Sequence, residues 1–315
     1  MRVFLALAGF FLLLALGSIP SRAQQCSQQQ ETRDIARLSS EAEALKEKDI
    51  PALRKKAEAG DIWSQKILSL AFFRGYGVKV DIAEAAKWLR EAAEQGDPES
   101  QLALANSYYM GDPLPQNYAE AAIWYRKVAE QGDSQVQNRL GSMYEDGRGV
   151  PQNYSEAANW YRKAAEQGNS HSEYSLGMLY HTGSGVAKDE TQALLLFRRA
   201  AEHGNYGAEC TLGALYEKGG AVPQDYTEAV NWDLKAADHG SPECQRGMVH
   251  MYLDGLGVRK DYVAAYMWAL VASRGDLKDE IYLQLFKVGL TRAQTQEAER
   301  RAQEWWQEHP QRKPK

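Results

Sequence analysis

The sequence predicts an all-α fold: an α/α solenoid (superhelix) of six 36-residue helix-turn-helix repeats closed by helical caps. Three observations predict it. Glycines recur every 36 residues at Gly60, Gly96, Gly132, Gly168, Gly204 and Gly240, and a second series keeps the interval at Gly75, Gly111, Gly147, Gly183, Gly219 and Gly255. Large side chains follow the same register, at Phe72, Tyr108, Tyr144, Tyr180, Tyr216 and Tyr252 and at Trp88, Trp124, Trp160, Leu196, Trp232 and Trp268. Between the glycines the apolar residues have helical spacing, and no alternating stretch is long enough for a strand. Self-similarity at such an interval marks a stacked array, in which neighbours complete one another's core.

The elements follow in order. Arg2, an apolar run from Val3 to Leu16, and then Pro20 and Ser21-Arg22-Ala23 read as a secretory signal peptide, residues 1–23, cut after Ala23. The run falls short of the ~20 residues of a membrane span, and Pro20 with the cleavage triplet speaks against an uncleaved anchor. Ala23-Gln24-Gln25 ahead of Cys26 does not resemble a lipoprotein box. The expected location is secreted or periplasmic, with no stable membrane span. Residues 24–59 are expected to form N-terminal capping helices: a frayed start over Gln24 to Gln30, a helix carrying Ile35, Leu38, Ala42 and Leu45, and a lone second-type helix from Ile50 with Leu53 and Ala57 in register with Leu89 and Ala93.

Residues 60–275 hold the six repeats. Helix A of each places a small residue, a large apolar one and an aromatic four apart, as in Ser64, Leu68 and Phe72. Helix B carries its apolar face at Ala85, Trp88, Leu89, Ala92 and Ala93. Capping boxes open helix B at Asp81 with Glu84, Asn117 with Glu120, Asn153 with Glu156, Asp189 with Gln192 and Asp225 with Glu228, whereas Asp261 is followed by Ala264. Residues 276–309 are expected to be C-terminal capping helices, one over Ile281 to Val288 and one opened by Thr291 with Gln294 and running through Trp305 and Trp306, ahead of a disordered tail at 310–315.

The run Leu140-Gly141, Tyr144, Gly147-Arg148-Gly149-Val150, Asn153, Ala157, Trp160-Tyr161, Ala164-Ala165 and Gly168 resembles the Sel-one-like repeat, a relative of the tetratricopeptide repeat with a longer interhelical loop. Gly111-Asp112-Pro113-Leu114-Pro115 and Gly219-Gly220-Ala221 depart from its loop, and Leu196 replaces its Trp. The resemblance implies a protein-binding scaffold, not an enzyme, with helices A lining the concave surface. Some secreted, cysteine-rich members have been linked to β-lactam hydrolysis and penicillin binding, but this chain has no Ser-x-x-Lys and lacks their regular cysteine pairs. A structural part of an envelope polysaccharide or secretion complex is a further alternative.

Composition narrows the partners. With 37 basic against 42 acidic side chains the net charge is −5, or −7 after removal of residues 1–23, so the basic excess needed for nucleic acid is missing. No cofactor or metal is expected. Gly147-Arg148-Gly149 has no preceding strand and no Lys-Ser/Thr after it, and His171, His181, His203, His239, His250 and His309 follow no metal-ligand spacing. His203 and His239 suit the dipole at the ends of their helices B. Cys210 and Cys244 fall in neighbouring helices A. An oxidising compartment favours a bond between them, whereas the usual helix separation of about 8–10 Å opposes one.

The candidate site is a second face of helix A, away from the core stripe, expected to bind a protein or peptide. In the first copy it carries Trp63, Lys66 and Phe73, in the second Leu102, Asn106 and Tyr109, in the third Asn138, and in the fourth Tyr174, Met178 and His181. This face varies from copy to copy. Its large apolar groups, with no core to enter, suggest anchors for a polypeptide docked along the groove.

Overall fold

The computed structural model describes residues 22–273 and 289–310. The signal peptide as far as Ser21, the expected helix over Ile281–Val288 and the tail from Gln311 therefore lie outside the described residues. The described residues form fifteen α-helices, one 3-10 helix (Glu47–Asp49) and no strand. Two precede the array, α1 (Arg22–Glu43) and α2 (Ile50–Glu58). The A and B helices of the six copies are α3 (Ile62–Arg74) and α4 (Ile82–Glu94), α5 (Pro98–Met110) and α6 (Tyr118–Glu130), α7 (Ser134–Asp146) and α8 (Tyr154–Glu166), α9 (Ser170–Thr182) and α10 (Glu190–Glu202), α11 (Tyr206–Lys218) and α12 (Tyr226–Asp238), and α13 (Pro242–Asp254) and α14 (Tyr262–Ala272). Last comes α15 (Arg292–Glu308). The chain divides into two compact units, Met1–Gln167 and Gly168–Lys315, and the division falls between the third and fourth copies.

In the first unit each helix from α3 to α8 packs on the next, and α1 and α2 both pack on α3. Ile50, Ala57, Leu68, Phe72, Ala85 and Trp88 form one buried cluster, so α2 supplies the apolar face that a preceding helix B would supply. The Gln-rich segment expected to fray is helical, forming the first turns of α1. In the third copy Tyr161 lies so close to Gly141 that a Cβ there would stand 2.7 Å from the ring. In the second unit α9 to α14 stack in the same manner and α15 closes on α14, burying Ala298, Ala302, Trp305 and Trp306. Gly177 meets Phe197 as Gly141 meets Tyr161.

Helix-B starts form only half of the expected capping box. Asp81 accepts from the N–H groups of Ala83 and Glu84, and Asp261 caps Val263 and Ala264 in the same way despite lacking the acidic partner. The N-cap N–H is already used: that of Asp81 donates to Phe72 O and that of Asn153 to Tyr144 O, both at 2.9 Å. The aromatic end of helix A thus replaces the returning glutamate. At α15 the full box of Thr291 and Gln294 forms.

A second polar device repeats with the array. Gln65, Gln101 and Gln137, all buried, donate to Ala57 O, Ala93 O and Ala129 O, each at 2.9 Å, tying a helix A to the helix before it. Their oxygens accept from Gln95, Gln131 and Gln167 at 2.7–2.9 Å. In the fourth and fifth copies the equivalent buried residues are Glu173 and Glu209, paired at 2.8 Å with His203 and His239, whereas the sixth again has a glutamine, Gln245. Arg199 also lies 2.8 Å from Glu173. The two histidines are therefore held by acid–base pairs within their own copies, which the helix dipole alone does not account for.

Candidate functional site

The ten positions of the expected helix-A face divide between the units, seven in the first and three in the second, and all ten are half-buried. In the first unit Trp63 lies under the guanidinium of Arg37 at 4.8 Å, and its indole N–H donates to Glu41 at 2.8 Å. That bond, with a second from Arg37, holds Glu41 below the usual carboxylate range. Helix α1 thus covers this position. Lys66 reaches into the next copy, 3.5 Å from Asp97 and in closer contact with Glu99. Phe73 packs against the buried cluster around Leu68 and Trp88, and Leu102 and Asn138 sit half-buried along the same face.

Tyr109 and Asn106 belong to a denser arrangement. The Tyr109 ring stands edge-on to Tyr118 at 5.2 Å and to Tyr125 at 6.0 Å. Arg139 lies over Tyr109 and Tyr125 at 5.3 and 5.7 Å, and Arg148 over Tyr109 and Tyr118 at 5.9 and 5.6 Å. Arg148 donates to the Tyr109 hydroxyl and the Tyr125 hydroxyl donates to Asn106, both at 2.7 Å. Burial pushes the Tyr125 phenol up, and the bond to Tyr109 raises the pKa of the exposed Arg148 further. Helices α5, α6 and α7 and the loop after α7 therefore assemble three tyrosine rings and two guanidinium groups. Such a set can receive carboxylates through the cations and apolar side chains through the rings.

Arg139, Arg148, Tyr118 and Tyr125 were outside the expected face. A signal for Arg139 was present, because the same repeat position carries Ile67, Ala103, Ser175, Thr211 and Gly247 in the other copies.

In the second unit Tyr174 packs 5.8 Å from Phe197 and receives a 3.5 Å hydrogen bond from Thr211. Met178 leans on the same core cluster. His181 Nδ1 is 2.7 Å from Glu190, whose carboxyl it holds below its ordinary range. The expectation that these apolar groups have no core to enter is thus corrected for Phe73 and Tyr174, because the helix-A face merges with the core at its edge.

The cysteine question resolves toward a bond: Cys210 on α11 and Cys244 on α13 form a disulfide with Cα atoms 6.1 Å apart. The separation of about 8–10 Å applies to helix axes, and Cα atoms lie about 2.3 Å off the axis, so facing residues approach more closely. Beside the bond is Asp233, 6 % exposed, whose Oδ1 is 3.3 Å from Cys244 Sγ. Burial first, then the charges of Glu217 and Glu243, push its carboxyl up to about 7. Among the described residues, no group of three or more His, Cys, Asp or Glu side chains is arranged to hold a metal ion, and no helix is long and apolar enough to cross a membrane.

The Sel1 repeat family matches at residues 64–97, 98–133, 134–169, 170–205, 208–241 and 242–277. A Sel1 repeat protein from Oxalobacter formigenes is 32 % identical, with 68 % of this chain and 85 % of that chain covered and a TM-score of 0.57. A protective antigen of uropathogenic Escherichia coli strains displaying an SLR fold is 30 % identical over 85 % of this chain and 73 % of that one, with a TM-score of 0.35. An immunity protein from Pseudomonas aeruginosa is 20 % identical over 70 % and 82 %, with a TM-score of 0.41. No curated protein matches.

Proposed function

The chain belongs to the Sel1 repeat family, and we propose that it acts as an exported interaction scaffold that docks a polypeptide partner along its helix-A face. Sel1 repeat proteins are in general protein-interaction scaffolds, and the fold is typically non-catalytic. The observation that carries the finer reading is the Tyr109, Arg139 and Arg148 cluster of the first unit. Aromatic rings and guanidinium groups dominate binding energy at protein interfaces. Here they concentrate in a chain whose charge is otherwise acidic. The partner segment this suits carries carboxylates beside apolar side chains. Trp63, covered by α1, and Phe73, packed on core, serve as walls of that site and not as anchors.

The test uses the full chain as bait in an envelope extract, followed by affinity measurement on the purified partner. Arg148→Ala and Tyr109→Ala should each weaken binding by about tenfold or more, and Lys163→Ala should leave it unchanged. Unchanged affinity in both folded cluster variants overturns the groove reading. Export is tested separately: a mature N-terminus at Gln24 supports it, and an intact Met1 on protein recovered outside the cytoplasm overturns the cleavage.

A further inference from the structure

Three copies show what the position of Asp233 can hold. Tyr125, Tyr161 and Phe197 occupy it in copies two to four, and Gly141 and Gly177 leave room for the rings of the third and fourth. The fifth copy keeps the glycine, Gly213, but sets a carboxylate against it. No ion pair among the described residues includes Asp233, and the charged groups acting on it, Glu217 from α11 and Glu243 from α13, are both acidic. A carboxylate in that setting costs stability, and packing does not call for it. What it touches is sulfur: Cys244 Sγ at 3.3 Å, on the buried side of the disulfide, while Cys210 on the other side is half-buried. Ser241 Oγ lies 3.0 Å from Cys210 Sγ and accepts the Cys244 N–H at 3.3 Å.

We propose that Cys210 and Cys244 are a redox-active pair, in which Asp233 passes a proton to and from the Cys244 sulfur during thiol–disulfide exchange with an external thiol. A thiolate attacks Cys210 Sγ and the S–S bond breaks. Its electron pair leaves on Cys244 Sγ, which takes the proton of the Asp233 carboxyl. The products are a mixed disulfide on Cys210, a Cys244 thiol and an Asp233 carboxylate, which regains a proton from water. A second external thiolate attacks the outer sulfur of the mixed disulfide and departs as the external disulfide. Cys210 leaves as thiolate and is protonated by solvent, so two external thiols are oxidised for each bond reduced. In the reverse direction Asp233 accepts the proton as Cys244 attacks. Position supports the division of labour, since the reachable sulfur is attacked and the buried one has the acid.

The full chain, purified without reductant, is reduced with dithiothreitol at pH 5–8.5, quenched by alkylation and followed by mass. Reduction of the native fold is expected, slowed roughly 100-fold in Asp233→Asn with loss of one step from its pH profile. Glu217→Gln/Glu243→Gln keeps the acid and removes the charges beside it, so the step should move to lower pH, which gives a reading even where Asp233→Asn fails to fold. Free thiols in the purified protein, reduction only after unfolding, or an unmoved profile in the double variant overturns the proposal. So does an unchanged rate in folded Asp233→Asn.

Discussion

Where the first unit carries Gln65, Gln101 and Gln137, the first two copies of the second carry Glu173 and Glu209, and the partner at the end of helix B changes with it, from Gln95, Gln131 and Gln167 to His203 and His239. An amide both donates and accepts, so each glutamine satisfies its own copy and also donates to the alanine carbonyl of the preceding helix B. A carboxylate only accepts. It gives up the donated bond to the preceding helix and must instead be matched by a donor that can carry charge. The change of both partners together fits a buried carboxylate that needs a donor at its exposed end. It also teaches that the copies share one apolar frame but differ in how they are tied together. In the first unit the tie joins amide to amide; in two copies of the second it joins carboxylate to imidazole.

If the frame is common, the largest losses should come from it equally in both units. Trp160→Ala and Trp268→Ala should each cost about 3–5 kcal/mol, because both rings are almost fully buried. Lys163→Ala, which removes an exposed side chain whose ammonium lies 4.0 Å above the Trp160 ring, should cost under about 1 kcal/mol. Equilibrium urea unfolding is the measurement. A Trp268 loss near that of Lys163 would break the comparison at its base.

The next effect belongs to the second unit alone. Asp233 is pushed up to about 7 from an ordinary value of 3.8, so between those values the folded chain binds more protons than the unfolded one. Stability therefore falls as pH rises from about 4 to about 7 and levels off above, with a total loss of up to about 4 kcal/mol. Asp233→Asn should flatten that slope, whereas the first unit, with Tyr125 and Tyr161 at the equivalent position, has no such slope to lose. A wild-type profile that matches the variant's would remove Asp233 as its source.

The frame was legible because it is periodic in residues whose chemistry is unambiguous: glycine, tryptophan and the alanines of helix B. The closing helix was legible for the same reason, since Thr291 with Gln294 and the buried Trp305 and Trp306 are local signals. The polar ties repeat every 36 residues just as regularly. They were missed because glutamine and glutamate on a helix suggest solvent, and nothing in a single copy says that residues 30 apart meet. The tyrosine–arginine cluster was half legible: Tyr109 and Asn106 fall on the helix-A face, but Arg139 and Arg148 reach it from the next copy, a distance no one-helix pattern encodes.

A smaller contrast follows from removing one member of each tie. His239→Ala leaves Glu209, only 2 % exposed, without its donor, and should cost about 2–3 kcal/mol. Gln167→Ala leaves a neutral oxygen on Gln137 and should cost about 1 kcal/mol. Equal losses in the two variants would mean that the charge of the pair carries no extra weight.

The smallest effect is the most discriminating. Replacing the acid–base tie of the fifth copy by the amide tie, Glu209→Gln/His239→Gln, should be close to neutral or stabilise by about 1 kcal/mol. The new glutamine can donate to Ala201 O as Gln245 does to Ala237 O at 3.0 Å, and its oxygen can accept from the second glutamine as Gln137 accepts from Gln167. Either single change should be worse than the pair. Glu209→Gln alone gives up the charge that favours His239, and His239→Gln alone leaves a buried carboxylate facing a neutral amide. The double-mutant cycle should therefore return a coupling of about 1–2 kcal/mol favouring the matched pairs. Additive single changes would show that the two residues only happen to lie together, and that the amide and acid–base ties are not alternative solutions for one buried position.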